Sequence, residues 1–263
     1  MVVVAALRRR TRMGWRQVLE SLANAGQTMA PLAVSIAGAG IVVSALTATG
    51  MVVALGGIIK DLAGGSLPLL LVLLAATVLV LGMGLPTTPS YIIAAAIGVP
   101  QILDLGSVAL GVPPQELVLP AHLFIFYFAV LADASPPVAA AAFAAAAIAR
   151  ASPLVTSIHA TRLGIAGFTV GFAFLYDPGI MLRGGLSAIV VATAIQATAL
   201  TALCAAYAGY LLRPIGPVLR LALALAGAAA AFWHGIPDLL RLAAAAGALG
   251  GLATLQLARR HEG

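Results

Sequence analysis

Hydrophobic residues form long, nearly unbroken runs along most of this chain. The most continuous runs cover residues 67–81, 117–131 and 186–212. They are too many and too long to be hidden together in one soluble core of 263 residues. Because an α-helix needs about 20 consecutive apolar residues to cross a bilayer, the pattern predicts a bundle of membrane-spanning helices.

The same pattern predicts where the helices lie. A first full span is expected over residues 29–55, and a polar connection over 101–116. Two longer apolar segments, 67–99 and 117–149, each carry an interruption near the middle. The remaining spans are expected over residues 163–177, 186–212, 218–233 and 239–257.

The two interruptions are the most informative feature of the chain. The first reads GMGLPTTPSY from Gly82 to Tyr91, and the second reads LADASPP from Leu131 to Pro137. Unpaired N–H and C=O groups are very costly in lipid, so a broken backbone is tolerated there only inside protein or along a cavity. Two such breaks close together in sequence indicate an ion and substrate site near the middle of the membrane in a secondary transporter.

Composition supports a membrane setting. The chain is 62% hydrophobic and 8% charged, with a mean hydropathy of +1.10, whereas soluble domains are roughly one-quarter charged. The net charge of +6 comes from positive residues at the ends of apolar runs, which indicates membrane topology and no nucleic-acid partner. The single cysteine, Cys204, excludes disulfides within the chain, a Cys-rich metal site and paired-thiol redox chemistry.

Residues 1–28 are predicted to lie in the membrane interface as a basic amphipathic segment. The segment carries five arginines, Arg8, Arg9, Arg10, Arg12 and Arg16. An apolar face with helical spacing follows them. The opening MVVVAAL before the arginines is typical of the end of an earlier span, so we expect the chain to begin partway through a larger protein.

The charges also favour a re-entrant hairpin over residues 67–99. With a hairpin there, both of its ends lie on one side, and eleven positive residues fall on the cytoplasmic side. Only Lys60, Arg183 and Arg241 then lie outside. A single crossing would split the charges seven against seven, which the positive-inside rule disfavours.

The breaks supply oxygen ligands. A proline inside a helix frees the carbonyl four residues earlier. The prolines of the two breaks therefore predict four free carbonyls, those of Gly82, Leu85, Ala132 and Asp133. Side-chain oxygens come from Thr87, Thr88, Ser135 and Asp133. Hard cations such as Na⁺ prefer oxygen ligands, and the half-helix that follows each break has an N-terminal dipole that favours an anionic group.

Asp133 carries the most weight among single residues. It is the only acid expected deep in the membrane, where ionisable residues are costly and mark functional sites. Its alternative role is a helix cap bonded to a backbone amide. The other polar residues are weaker candidates: His122 is expected near the outer interface, and Asp177 at a helix end on the outer face.

Three motifs together resemble one transporter family. They are LGMGLPTTPSY at residues 81–91, AHLFIFYFAVLADASPP at 121–137 and RLGIAGFTVGFAFLYDPGIML at 162–182. They resemble the large permease subunit of tripartite ATP-independent periplasmic (TRAP) transporters, especially the fused permeases of the TAXI type. The resemblance extends over about residues 14–185 and is weak in the C-terminal spans, and the combination of motifs is specific to the family.

The resemblance implies a fold and a set of site residues. The fold is an inverted repeat with two hairpins and two broken helices that operates as a sodium-driven elevator. Residues 82–91 would form the tip of the second hairpin, and 131–137 the break in its partner helix. The residues implied to hold Na⁺ are Gly82, Gly84, Thr87, Thr88, Asp133 and Ser135, and those implied to bind substrate are Thr87, Thr88 and Ser135. The family more often carries a hydroxyl where this chain has Ala132.

We therefore expect an all-α membrane protein in three parts. The interfacial segment covers residues 1–28. The second-repeat transport region covers residues 29–183 and contains the hairpin (67–99) and the broken helix (117–149). The C-terminal transmembrane helices cover residues 184–263. No first hairpin precedes the transport region. We therefore expect the chain to hold one inverted repeat and the tail helices, as the C-terminal part of a permease whose N-terminal half is missing or forms a separate chain.

The expected function is sodium-coupled import of an organic anion, a dicarboxylate or similar carboxylate, across the bacterial inner membrane. The expected partners are a periplasmic substrate-binding protein, the N-terminal half of the permease and the lipid bilayer, with Na⁺ as coupling ion and no other cofactor. The alternative is a proton-coupled transporter or channel of related hairpin architecture. An intramembrane aspartyl protease would need two facing carboxylates, whereas Asp133 is the only acid expected deep in the membrane. No soluble-enzyme motif is present in the sequence.

Overall fold

The computed structural model describes residues 14–136, 139–232 and 237–258. Within these ranges the secondary structure is helical and contains no strand. The helices are α1 (Trp15–Ala48), α2 (Met51–Ala63), α3 (Leu67–Gly82), α4 (Thr87–Leu110), α5 (Pro114–Ala132), α6 (Ala140–Ala149), α7 (Pro153–Leu163), α8 (Ile165–Tyr176), a 3₁₀ helix (Pro178–Met181), α9 (Leu186–Ala208), α10 (Pro217–Phe232) and α11 (Asp238–Ala258).

Several of these helices are suited to a bilayer. In the described ranges, four helical segments are long and apolar enough to cross a membrane: Thr87–Leu110, Pro114–Ala132, Pro153–Tyr176 and Leu186–Ala208. Helices α3, α6 and α10 are also apolar but shorter. The predicted class, an all-α membrane protein, is confirmed.

The N-terminal helices differ from the prediction. Helix α1 runs without a break through residue 28, where the interfacial segment was expected to end; residues 1–13 of that segment lie outside the described residues. The chain then bends by 77° between α1 and α2. Gly50 stands at the bend with φ = 70°, a conformation that glycine adopts without strain. An unbroken helix over 29–55 is therefore not formed; residues 36–63 make a bent pair of helices that together are long and apolar enough for one broken span or a re-entrant loop.

Helices α3 and α4 form an antiparallel hairpin around the first break. A Cβ placed on Gly98 would lie 3.0 Å from Leu74 Cδ2, and one placed on Gly106 would lie 3.8 Å from Leu67 Cδ1. The residue numbers of the contacting positions decrease along α3 as they increase along α4, so the two helices are antiparallel. The second arm is longer than expected: α4 continues to Leu110, so the polar connection predicted from residue 101 is wrong over its first part.

The largest buried apolar cluster joins α3, α4, α5 and α8. Aromatic side chains connect α5 to α8: the ring of Phe172 lies 5.3 Å from that of Phe128 and 5.4 Å from that of Phe124, between centroids. Gly171 permits this approach, since a Cβ there would lie 2.7 Å from the Phe128 ring. The cluster holds α5 in place up to the second break.

Small residues allow the three C-terminal helices to pack closely. Ala202 of α9 and Ala230 of α10 are fully buried. A Cβ placed on Gly227 of α10 would lie 2.9 Å from the carbonyl oxygen of Ala199 in α9. Such contacts are typical of helices that associate within a membrane.

A buried polar network connects the C-terminal helices to α8. Asp177 follows α8, and its Oδ2 accepts hydrogen bonds from Gln196 Nε2 at 2.8 Å and from Arg241 Nη2 at 3.1 Å. Arg241 also donates to the carbonyls of Ala230 at 3.0 Å and Ala231 at 3.4 Å. The Arg241 side chain is 1% exposed. A charge buried this deeply must be paired, so the network fixes α9, α10 and α11 against α8.

This network corrects the interpretation of two charged residues. Arg241 was counted as an outside topology charge, but its guanidinium is buried between helices and paired with Asp177. Asp177 does follow a helix end, yet it is buried, whereas Asp133 is half-buried. Asp177 is thus more deeply enclosed in protein than the acid that the sequence singled out.

Replacing Asp177 should destabilise the protein strongly. Asp177→Asn keeps the side-chain shape but leaves the Arg241 guanidinium without its buried counter-charge, and we expect a loss of about 3–5 kcal/mol in unfolding free energy. Thermal and chemical unfolding of the purified protein in detergent measures it. Asp238→Asn is the matched control, because Asp238 pairs with the same arginine but its side chain is 62% exposed. Equal losses in both variants would contradict this assignment.

Candidate functional site

The two breaks lie against each other because α4 and α5 are antiparallel. Gly106 near the end of α4 lies against Leu117 near the start of α5, with 3.1 Å between a Cβ placed on Gly106 and Leu117 Cδ1. The opposite ends of the same helices bring Thr87, the first residue of α4, beside Asp133, which follows α5. There, Thr87 Oγ1 donates a hydrogen bond to Asp133 Oδ2. The partner of Asp133 is thus a side chain from the other break.

The end of α3 reaches the same point. Gly82 is buried, and a Cβ placed on it would overlap with the Cβ of Ala132 at the end of α5. It would also lie 3.7 Å from Ser90 Oγ. Ser90 is fully buried, and its hydroxyl has no hydrogen-bond partner among the described residues. Ser90 is not among the site residues predicted from the sequence, although its position three residues after Thr87 places both hydroxyls on one face of α4.

The second break keeps its carbonyls occupied. The carbonyl of Ala132 accepts a hydrogen bond from Ser135 N at 3.3 Å, and that of Asp133 accepts one from Ala141 N at 3.0 Å. Ala139, with φ = 38°, turns the chain between the break and α6. These two carbonyls were predicted to be free, and that prediction is wrong. Pro137, the last residue of the motif, lies outside the described residues.

The first break is less fully paired. In the described part of the chain, no backbone N–H binds the carbonyl of Gly82 or that of Leu85. Gly82 ends α3 and Asp133 follows α5, so two helix C-termini with partial negative charge converge here on the N-terminus of α4. The Asp133 side chain adds two carboxyl oxygens beside them. The site therefore combines a region suited to a cation with one suited to an anion.

A cavity of about 470 Å³ opens where the breaks meet. Its described lining consists of residues 82–88, Asp133 and Ala140. Five of the six predicted site residues, Gly82, Gly84, Thr87, Thr88 and Asp133, thus lie around one space. Ser135 does not line it: the Ser135 hydroxyl donates to the carbonyl of Leu131 at 2.9 Å. Asp133 is the sole charged residue in this described lining.

A second cavity lies on the other side of the hairpin tip. Its volume is about 660 Å³, and its lining is apolar, with residues of α1, α2 and α4. Gly84, Leu85 and Pro86 line both cavities. Three residues of the hairpin tip therefore lie between the cavity that contains Asp133 and a cavity lined by apolar residues.

Comparison with known proteins gives one family match. The sequence profile of the family described as Tripartite ATP-independent periplasmic transporter, DctM component, matches residues 1–183. The chain belongs to this family. Comparison with curated proteins and with solved structures gives no significant match. The DctM match contains the hairpin, both breaks and Asp177, and it ends before α9.

Membership of the DctM family fixes the broad role of the chain. It is a TRAP-type transporter permease and a multi-pass membrane protein, from a family of transporters and not of enzymes. The family associates with a periplasmic binding protein and a small component.

The contact between Gly82 and Ala132 can be tested by adding a methyl group. Gly82→Ala should force α3 away from α5 and lower the unfolding free energy by about 1–3 kcal/mol, as overpacking does. Gly84→Ala is the matched control, because a Cβ there has no atom within 4 Å. Thermal unfolding in detergent compares the two variants. A Gly82→Ala protein as stable as Gly84→Ala would show that the two breaks are not in close contact.

Proposed function

We propose that this chain is part of a sodium-coupled permease that imports an organic anion, a carboxylate or dicarboxylate, across the bacterial inner membrane. The observation that carries the proposal is the Thr87–Asp133 hydrogen bond, which joins the two breaks beside a cavity of about 470 Å³. A periplasmic binding protein delivers the substrate, as the family association suggests. We also propose that the chain forms the C-terminal part of the permease, with the other half in a separate or preceding segment.

The cation site is supported by the donor set around Asp133. The described lining of the cavity offers the Asp133 carboxyl group, the hydroxyls of Thr87 and Thr88, and the carbonyls of Gly82 and Leu85, all of which are oxygen ligands. Na⁺ prefers such ligands, and half-helices that end in a membrane commonly supply them. Ser135 sits farther from this set, so its role as a ligand would require the break to move.

The anion site is supported by the N-terminus of α4. The first residues of α4 direct N–H groups toward the break, and Thr88 is exposed to the cavity. Since the described lining contains no arginine or lysine, carboxylate binding would depend on backbone N–H groups and threonine hydroxyls. Such a site holds an anion well only when a cation neutralises Asp133.

Removing the Asp133 charge should remove the sodium dependence. For Asp133→Asn we expect sodium affinity to fall at least about tenfold, since charges about 4 Å apart interact by several kcal/mol even at an effective dielectric constant of about 20. Two measurements check this: sodium-dependent thermal stability of the purified chain, and labelled carboxylate uptake by the complete transport system in proteoliposomes. Asp104→Asn is the control, because Asp104 pairs with Lys60 away from the cavity.

The Thr87 hydroxyl allows a sharper comparison. Thr87→Val removes the hydroxyl at nearly constant shape and should weaken sodium binding, whereas Thr87→Ser keeps the hydroxyl and should retain it. Replacing sodium with choline at fixed pH separates the two coupling mechanisms. Uptake that persists in choline and follows a proton gradient would favour the proton-coupled alternative over the proposal.

A further inference from the structure

A separate basic cavity lies where α7, α9 and α10 meet. Its volume is about 560 Å³, and its described lining includes Arg162 at the end of α7, Tyr207 at the end of α9 and Arg220 in the first turn of α10. None of the seven acidic residues in the described ranges lines it. Two guanidinium groups therefore share one space without a carboxylate.

The two arginines differ in what they already bind. Arg220 donates from Nε to the carbonyl of Ala206 at 2.8 Å and from Nη2 to the carbonyl of Tyr207 at 2.9 Å. These bonds pair two backbone carbonyls at the C-terminal end of α9. The Arg162 side chain is exposed and makes no hydrogen bond or ion pair within the described part of the chain. An anion between the two arginines would pair with both guanidinium groups.

The rim of this cavity indicates what carries the anion. Leu163, which lines it, is 85% exposed, and Val218, in the same turn as Arg220, is 80% exposed. Leu219 and Leu221 on either side of Arg220 are also exposed. A free phosphate would gain nothing from such apolar surface, whereas the acyl chains of a phospholipid would cover it. The distribution of charges along the sequence predicts that both arginines lie on the cytoplasmic side, where basic pockets between membrane helices bind lipid head groups.

We propose that Arg162 and Arg220 bind the phosphate of an anionic phospholipid, with its acyl chains on the exposed apolar residues of α7 and α10. The lipid fills the gap between the region matched by the DctM family and the C-terminal helices on the side away from the Asp177–Arg241 pair. In this position the lipid connects α7, which lies in the matched region, to α10, which is one of the C-terminal helices.

The test uses the purified full chain in neutral detergent, with phosphatidylglycerol, phosphatidylcholine or inorganic phosphate added. Phosphatidylglycerol should raise the melting temperature and remain bound in native mass spectrometry. Arg162→Gln should weaken this effect about five- to tenfold in lipid concentration, as expected for one arginine near a phosphate. Arg220→Lys should weaken it less, because lysine keeps the charge but not the fork of donors.

Arg150→Gln is the matched control, since Arg150 is exposed, is expected on the same membrane side and does not line the cavity. It should leave the phosphatidylglycerol effect unchanged. Equal effects of phosphatidylglycerol and phosphatidylcholine would overturn the proposal, and so would an equal loss in Arg150→Gln. Inorganic phosphate that reproduces the full effect would identify a site for a small anion and would also overturn it.

Discussion

A backbone that leaves its helix inside a membrane must find hydrogen-bond partners in protein, because the lipid offers none. This constraint explains why the two breaks of the DctM chain lie together. Each break alone would leave polar groups exposed to hydrocarbon. The antiparallel packing of α4 and α5 brings Thr87 to Asp133, and the small residues Gly82 and Ala132 let α3 approach the same point. The outcome is an open cavity bordered by three helix ends, with Asp133 in its lining.

The helices beyond the DctM match are attached to the transport region through buried contacts. Arg241 of α11 pairs with Asp177, which follows α8, and Phe172 of α8 packs on Phe128 of α5. Helix α5 in turn ends at Asp133. This chain of contacts is continuous in space, and each link is buried or half-buried. It gives the C-terminal helices a structural role that their composition alone does not reveal.

The sequence predicted the breaks well because their signals are local. Prolines, glycines and hydroxyls inside an apolar run directly indicate an interrupted helix. The prediction failed where the answer depends on contacts between distant residues. The Asp177–Arg241 pair joins positions 64 residues apart, and both residues stand near helix ends that look exposed in sequence. The bend at Gly50 carries no proline, and the carbonyl of Asp133 is bound by Ala141 only because the chain turns at Ala139. The sequence predicted Gly82 as a sodium ligand, whereas its close packing against Ala132 is visible only in the structure.

The polarity of the site offers a physical basis for coupling under the proposed function. The N-terminus of α4 favours an anion, yet the Asp133 carboxylate lies beside it through its bond to Thr87. A second carboxylate would be repelled by the first across a short distance. Under the proposed function, a cation held by Asp133 and the neighbouring oxygens would remove that repulsion, and an anionic substrate would then bind well only after sodium. Since binding linkage is reciprocal, the substrate must also strengthen sodium binding. One carboxylate between two breaks is thus sufficient to make each ligand depend on the other.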